Sequence, residues 1–137
     1  MPWAILDTNV YIGHWERGLY DAALTDVRKA FVVRHSAVVL SELRRGARTP
    51  LARRFVEALR RLARVPWGPT AEDWWEAGRL IQKIGDAQRW DRRKRRDFQN
   101  DALIALTARG HGATVVTADR ADFARLAREI RVSVLSL

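Results

Sequence analysis

Five acidic residues, Asp7, Glu42, Asp101, Asp119 and Asp122, fall where a chain of alternating strands and helices would gather its functional groups. Their surroundings are basic: 25 Lys+Arg oppose 16 Asp+Glu, a formal net charge of +9. Open parallel sheets present functional groups at the carboxyl ends of their strands. Asp7 directly follows the apolar run Trp3-Ala4-Ile5-Leu6, Asp119 comes two residues after Val115-Val116-Thr117, and Asp122 lies one turn later. Glu42 is expected about two turns into the helix after the second strand, and Asp101 near the start of its own helix. Carboxylates forced together repel, and some keep their protons unless a cation compensates. Mg²⁺ or Mn²⁺ suits such an all-oxygen set, binding through a few carboxylates plus substrate phosphate. An ion of that kind serves in-line phosphoryl displacement by water.

Each acid also has a purely structural use. Asp7 can cap a helix, and Asp119 with Asp122 can form a capping pair. Glu42 stands three residues before Arg45, the spacing of a helical ion pair. Asp101 near a helix N-terminus would favour the macrodipole. Taken from geometry alone, metal binding and structural use both stand.

The elements that must position these acids can be traced along the chain. Residues 3–6 form a buried strand turning into a helix at Asp7-Thr8-Asn9. A helix over 20–30, a strand over 31–33 and a helix capped by Ser36 and reaching 45 follow, with Gly46 at its end. Leu51, Phe55, Leu59 and Leu62 recur at spacings of three and four, an amphipathic helix within 51–65. Residues 66–69 make a turn or short strand, and Thr70 caps a helix over 71–84 that Gly85-Asp86 should break. A basic segment then precedes a helix over 98–109, which Gly110 and Gly112 stop. Residues 113–117 form the clearest strand, 119–128 a helix and 132–137 a last strand. Short apolar strands alternating with helices indicate one α/β domain over 1–137, a parallel sheet with helices on both faces.

Composition removes several function classes. With no cysteine there are no disulfides, thiolate metal sites or cysteine nucleophiles. His14, His35 and His111 lack ligand-like spacing, which argues against structural zinc. No stretch approaches the ~20 apolar residues of a membrane helix, and the N-terminus reaches Asp7 too soon for a signal peptide. A cytoplasmic protein with no membrane partner is expected. The cations are 22 Arg against 3 Lys. Neither G-x-x-x-x-G-K nor G-x-G-x-x-G occurs, which disfavours a nucleotide-binding protein.

Four motifs then stand in order: I-L-D-T-N at 5–9, S-E-L-R-R-G at 41–46, N-D-A-L-I-A at 100–105 and T-V-V-T-A-D-R-A-D-F at 114–123. Together they resemble PIN-domain proteins, above all the VapC toxins of type II toxin–antitoxin (VapBC) pairs, from residue 4 to about 127. The resemblance implies a PIN-like fold and a Mg²⁺- or Mn²⁺-dependent endoribonuclease leaving a 5′-phosphate and a 3′-hydroxyl. It implies that Asp7, Glu42, Asp101 and Asp119 hold metal directly or through water, with Asp122 supporting. How Asp119 and Asp122 divide that role stays open. Asn9 and Thr117 match polar positions that orient the metal's water shell or the phosphate. The resemblance further implies an RNA substrate, a VapB-type antitoxin and a toxin homodimer.

Two features depart from the family's pattern. Arg89-Trp90-Asp91-Arg92-Arg93-Lys94-Arg95-Arg96 is unusually basic, and there are six tryptophans. Beside the acids, Arg89, Arg92, Arg93, Lys94, Arg95 and Arg96 can hold RNA phosphates, and Trp90 can stack on an unpaired base; the alternative is a solvated face. A second belt includes Arg44, Arg45, Arg48, Arg53, Arg54, Arg60, Arg61 and Arg64, some facing solvent and others available to an acidic antitoxin. Of Trp74-Trp75, one ring is expected to pack inward and the other to join an interface, while Trp15 can line a groove for a partner helix. A phosphatase of the haloacid dehalogenase type is a weaker alternative, because Asn9 stands where its second acid belongs. The alternative from another class is a catalytically silent PIN-fold module that binds RNA or regulates.

Overall fold

The computed structural model describes residues 1–137. The elements run β1 (Trp3–Leu6), α1 (Thr8–Arg17), α2 (Asp21–Ala30), β2 (Val32–Arg34), α3 (Ala37–Gly46), α4 (Pro50–Leu62), α5 (Ala71–Gln88), α6 (Arg92–His111), β3 (Thr114–Thr117), α7 (Arg120–Glu129) and β4 (Ser133–Ser136). The four strands form one sheet in the order β2-β1-β3-β4. All neighbours are parallel, with Ile5 in register with Arg34 on one side and Val115 on the other. Successive side chains of a strand point to opposite faces. Ala4, Ile5 and Leu6 are nevertheless all buried, as are Val115 and Val116. Both faces of the two central strands are therefore covered, the α/β arrangement that short apolar strands predict.

The chain leaves β1 for β2 on one side of it and later returns to β3 on the other. The topological switch point thus lies between the carboxyl ends of β1 and β3, where open α/β sheets form their crevices.

Capping chemistry sets most helix starts. Ser36 Oγ accepts from the Val38 and Val39 amides at 3.1 and 3.3 Å, Thr49 caps α4 ahead of Pro50, and Thr70 with Asp73 closes a capping box on α5. Two expected boundaries move. Gly85-Asp86 does not break α5, which continues to Gln88 and ends at Arg89 in the left-handed region (φ 56°). Gly85 instead permits a close approach: a Cβ there would stand 2.9 Å from the Arg95 guanidinium. The basic segment is not a prelude to α6 but its first turns. Asp91 caps the helix by accepting from the Lys94 amide at 2.8 Å, and Arg and Lys are good helix formers. From Ala102 to Ala108 every residue of α6 is buried, so this helix is wrapped on all sides and shows little amphipathic pattern. Its end fits expectation, with Gly112 left-handed at φ 66°. Gly46, expected at a helix end, is the last residue of α3, and Ala47 caps it without a left-handed turn.

The apolar stripe of α4 is only half used. Val56 and Leu59 are buried, whereas Leu51 and Leu62 are 54% and 74% exposed. Both rings of the Trp74-Trp75 pair also lie outside, at 51% and 79% exposure, against the expectation that one packs inward. The inward positions of α5 are taken by Ala77, Leu80 and Ile84.

Candidate metal centre

Asp7 sits at the switch point, almost fully buried. Its amide donates to Val116 O at 2.8 Å, Thr117 Oγ1 donates to its Oδ2 at 2.8 Å, and the Thr8 amide donates to its Oδ1 at 2.8 Å. Asp7 caps α1 through that last bond, so the structural reading holds alongside any chemistry. Burial pushes its carboxyl up to about 6, with Thr117 and Thr8 opposing and the nearby Glu42 and Asp119 adding to the rise. Thr117 is a hinge of this corner, since its Oγ1 also accepts from the Asp119 amide at 2.9 Å. Asn9 ties α1 to the same loop by accepting from the Ala118 amide at 3.2 Å.

Glu42 makes no ion pair with Arg45. Its Oε1 accepts from Thr8 Oγ1 at 2.9 Å, which turns the carboxylate toward Asp7. Thr8 is a residue sequence reasoning missed; its adjacency to Asp7 was the available signal.

Asp101 is not near a helix start, because α6 begins at Arg92 rather than near Phe98. It sits at mid-helix, where the macrodipole offers no benefit. Burial first, then the charges of Asp7, Asp119, Asp122 and Glu42, push its carboxyl up to about 8, and no hydrogen bond or cation pulls it back. A mid-helix acid placed among four others has no structural explanation. Compensation by a cation from solution supplies one.

Asp119 caps α7, its Oδ1 accepting from the Asp122 amide at 3.2 Å. Carboxylate oxygens of Asp101, Asp119 and Asp122 lie within 4.8 Å of one another. Asp122 differs in that both its oxygens are occupied: Oδ2 by Lys94 Nζ at 2.6 Å and Oδ1 by Arg125 Nη1 at 3.0 Å. Arg125 was also missed, although it stands one helical turn from Asp122. The donors are all hard oxygens, and Asp7, Glu42, Asp101 and Asp119 have no cationic partner in the protein, so the set fits a divalent cation such as Mg²⁺ or Mn²⁺.

The basic segment divides. Lys94 is committed to Asp122, and Arg95 bonds Trp90 O and Asp86 at 3.0 Å each, bracing the corner between α5 and α6. Arg89, Arg92, Arg93 and Arg96 are exposed and have no side-chain partner in the protein. The Trp90 ring meets the edge of Phe98 at 4.8 Å and carries Lys94 Nζ at 4.9 Å and Arg125 at 5.7 Å. That placement makes it a support for cations.

The PIN domain family model matches residues 4–129. The chain belongs to the PIN domain family. Solved structures agree on the PIN fold. A chain of VapBC-1 from nontypeable Haemophilus influenzae is 19% identical, with a TM-score of 0.71 over 98% of this chain and 97% of that one. A chain of Rickettsia felis VapBC2, bound to a DNA fragment from its promoter, is 19% identical with a TM-score of 0.68 over 98% of both chains. VapBC-5 of Mycobacterium tuberculosis, described as a toxin–antitoxin system, is 26% identical with a TM-score of 0.62 over 100% of both. No match is found among curated proteins. In this PIN domain no helix is long and apolar enough to cross a membrane.

Proposed function

We propose that this PIN domain is the toxin of a type II toxin–antitoxin pair, a Mg²⁺- or Mn²⁺-dependent endoribonuclease that hydrolyses RNA phosphodiester bonds. The observation that carries the reading is Asp101, a mid-helix carboxyl whose oxygen lies within 4.8 Å of those of Asp119 and Asp122 and which no ion pair in the protein neutralises. Asp7, Asp101 and Asp119 would hold the metal, with Glu42 acting directly or through water. When bound, the ion supplies Lewis acidity to the displacement at phosphorus. The chain's own residues do the rest. Thr117 fixes the orientation of Asp7, Thr8 that of Glu42, and Asn9 anchors the loop carrying Asp119. Arg89, Arg92, Arg93 and Arg96 offer guanidinium groups to phosphates on either side of the scissile bond. Water adds to phosphorus as the 3′-oxygen leaves with a proton, giving a 5′-phosphate and a 3′-hydroxyl.

For partners, the reading calls for a VapB-type antitoxin and a second toxin copy. Support for the first is the open groove of about 410 Å³ between α1 and α4, where Ile12, Trp15, Leu43, Leu51 and Phe55 present apolar surface. Beside it lies a cleft lined by Arg44, Arg53, Arg60 and Arg61, suited to an acidic segment. Trp74 and Trp75 form exposed aromatic surface for an interface between copies.

The test is cleavage of a labelled RNA panel with Mg²⁺ or Mn²⁺, with EDTA, and with the Asp7→Asn variant. Cutting that needs both metal and Asp7 supports the reading. Cutting that survives chelation and the substitution overturns the metal mechanism, and binding without cutting across the panel leaves a silent RNA-binding module.

A further inference from the structure

Three acids crowd within 4.8 Å beside the switch point, yet they are not equivalent. Asp101 has no protein donor, and Asp119 receives only the Asp122 amide. Asp122 alone is charge-paired, by Lys94 and Arg125 together. Its side chain is 7% exposed, while those of Lys94 and Arg125 are 39% and 30% exposed, so the acid is the buried member and the cations reach outward.

Separate elements converge to build this arrangement. Asp91 starts α6 so that Lys94 falls in its first turn. Arg125 comes from α7 one turn past Asp122, and Trp90, from the link before α6, lies under both cations. A metal ion ligated by Asp122 would stand against an ammonium and a guanidinium already paired with that buried carboxylate, and cation repulsion or the loss of one pair would be costly. Ligation by Asp101 and Asp119 displaces no cation and relieves like-charge repulsion instead.

We propose that Asp122 is a positioning residue rather than a metal ligand: as the internal counter-ion of Lys94 and Arg125, it holds the Lys94 ammonium at the rim of the acidic centre. The inference rests on the metal reading above and divides its acids into ligands (Asp7, Asp101 and Asp119, with Glu42 near) and a charge-paired support. The net charge of the centre then depends on the Lys94–Asp122 pair as a unit.

Calorimetric Mn²⁺ titration of the full chain tests it through a double-mutant cycle. Asp101→Asn serves as the ligand control and should abolish measurable binding. Asp122→Asn strands two cations beside the site and should weaken Mn²⁺ binding about tenfold, the cost typical of an outer-shell change. Asp122→Asn combined with Lys94→Met removes one charge of each sign and should restore affinity to within about threefold of the wild type. A double variant as weak as Asp122→Asn, or weaker, makes Asp122 a ligand and overturns the proposal. If Asp122→Asn alone does not fold, the double variant, which strands less charge, decides by itself. A wild type that binds no Mn²⁺, or that titrates like Asp101→Asn, overturns the metal reading itself and is distinct from either result.

Discussion

At neutral pH a carboxyl held at about 8 keeps its proton most of the time, and Asp101 is held there by burial and by the charges of four nearby acids. Asp7, pushed up to about 6, is the milder case because Thr117 and Thr8 stabilise its ionised form. Both groups start from 3.8 in the unfolded chain, so between that value and their folded ones the unfolded chain binds fewer protons. Their contribution to stability is fully present below about pH 4 and is lost as pH rises through about 6 and then about 8. Without metal, the Tm should therefore fall between about pH 5.5 and 8.5. Asp101→Asn should flatten that fall and raise the metal-free Tm at the upper end by roughly 5 °C. Mn²⁺ should restore the wild type there and leave the variant unchanged. A scanning-calorimetry series that is level or rising across the window for the wild type would contradict this account of Asp101.

Among the elements, α6 does two jobs along one helix. Its buried second half anchors the sheet and carries Asp101, while its first turns display Arg92, Arg93 and Arg96 to solvent. Because Lys94 and Arg95 are tied to Asp122 and Asp86, they are weak candidates for contact with a polyanion. Replacing Arg92, Arg93 and Arg96 with Gln should lower the slope of log affinity against log salt for single-stranded RNA by about 2, near 0.7 per lost phosphate contact. Fluorescence-anisotropy titrations at several salt concentrations measure it, and an unchanged slope would make this a solvated face. The helix carrying Glu42 depends on its cap. Ser36→Ala removes the acceptor for two amides and should cost about 1 kcal/mol in chemical denaturation.

At the level of the whole molecule, the apolar surface left open is concentrated rather than scattered. Trp15 stacks on Phe55 at 5.3 Å, and with Leu51 they border the groove between α1 and α4. Phe55 is 37% exposed, so Phe55→Glu should leave folding intact. In co-purification with the antitoxin proposed above it should nevertheless lose most of the bound partner, because a charge would be carried into an apolar contact. Retention of the antitoxin at wild-type level would place the partner elsewhere.

Much of this was legible from local chemistry. The run Trp3 to Leu6 before Asp7, the β-branched residues before Asp119, and the caps Ser36 and Thr70 each act within a few residues, so strand ends and helix starts followed directly. The family motifs extended that reading to the fold, and the family match over residues 4–129 bears it out. What escaped was whatever depends on neighbours distant in sequence. Gly85 looked like a breaker, yet α5 continues because α6 packs there with Arg95 against it. The basic run was expected to precede the helix, yet it is helical because Asp91 caps it and Asp122 and Asp86 hold its cations. The outward turn of Trp74 and Trp75 likewise reflects which face of α5 the core had already filled. Sequence by itself determined which acids were available and that Asp7 and Asp119 would follow strand ends. Tertiary structure alone decided that Asp101 is mid-helix and unneutralised while Asp122 is buried between two cations. A carboxylate's charge state and freedom to bind are set by the dielectric and the charges within a few ångströms, and those are supplied by residues dozens of positions away.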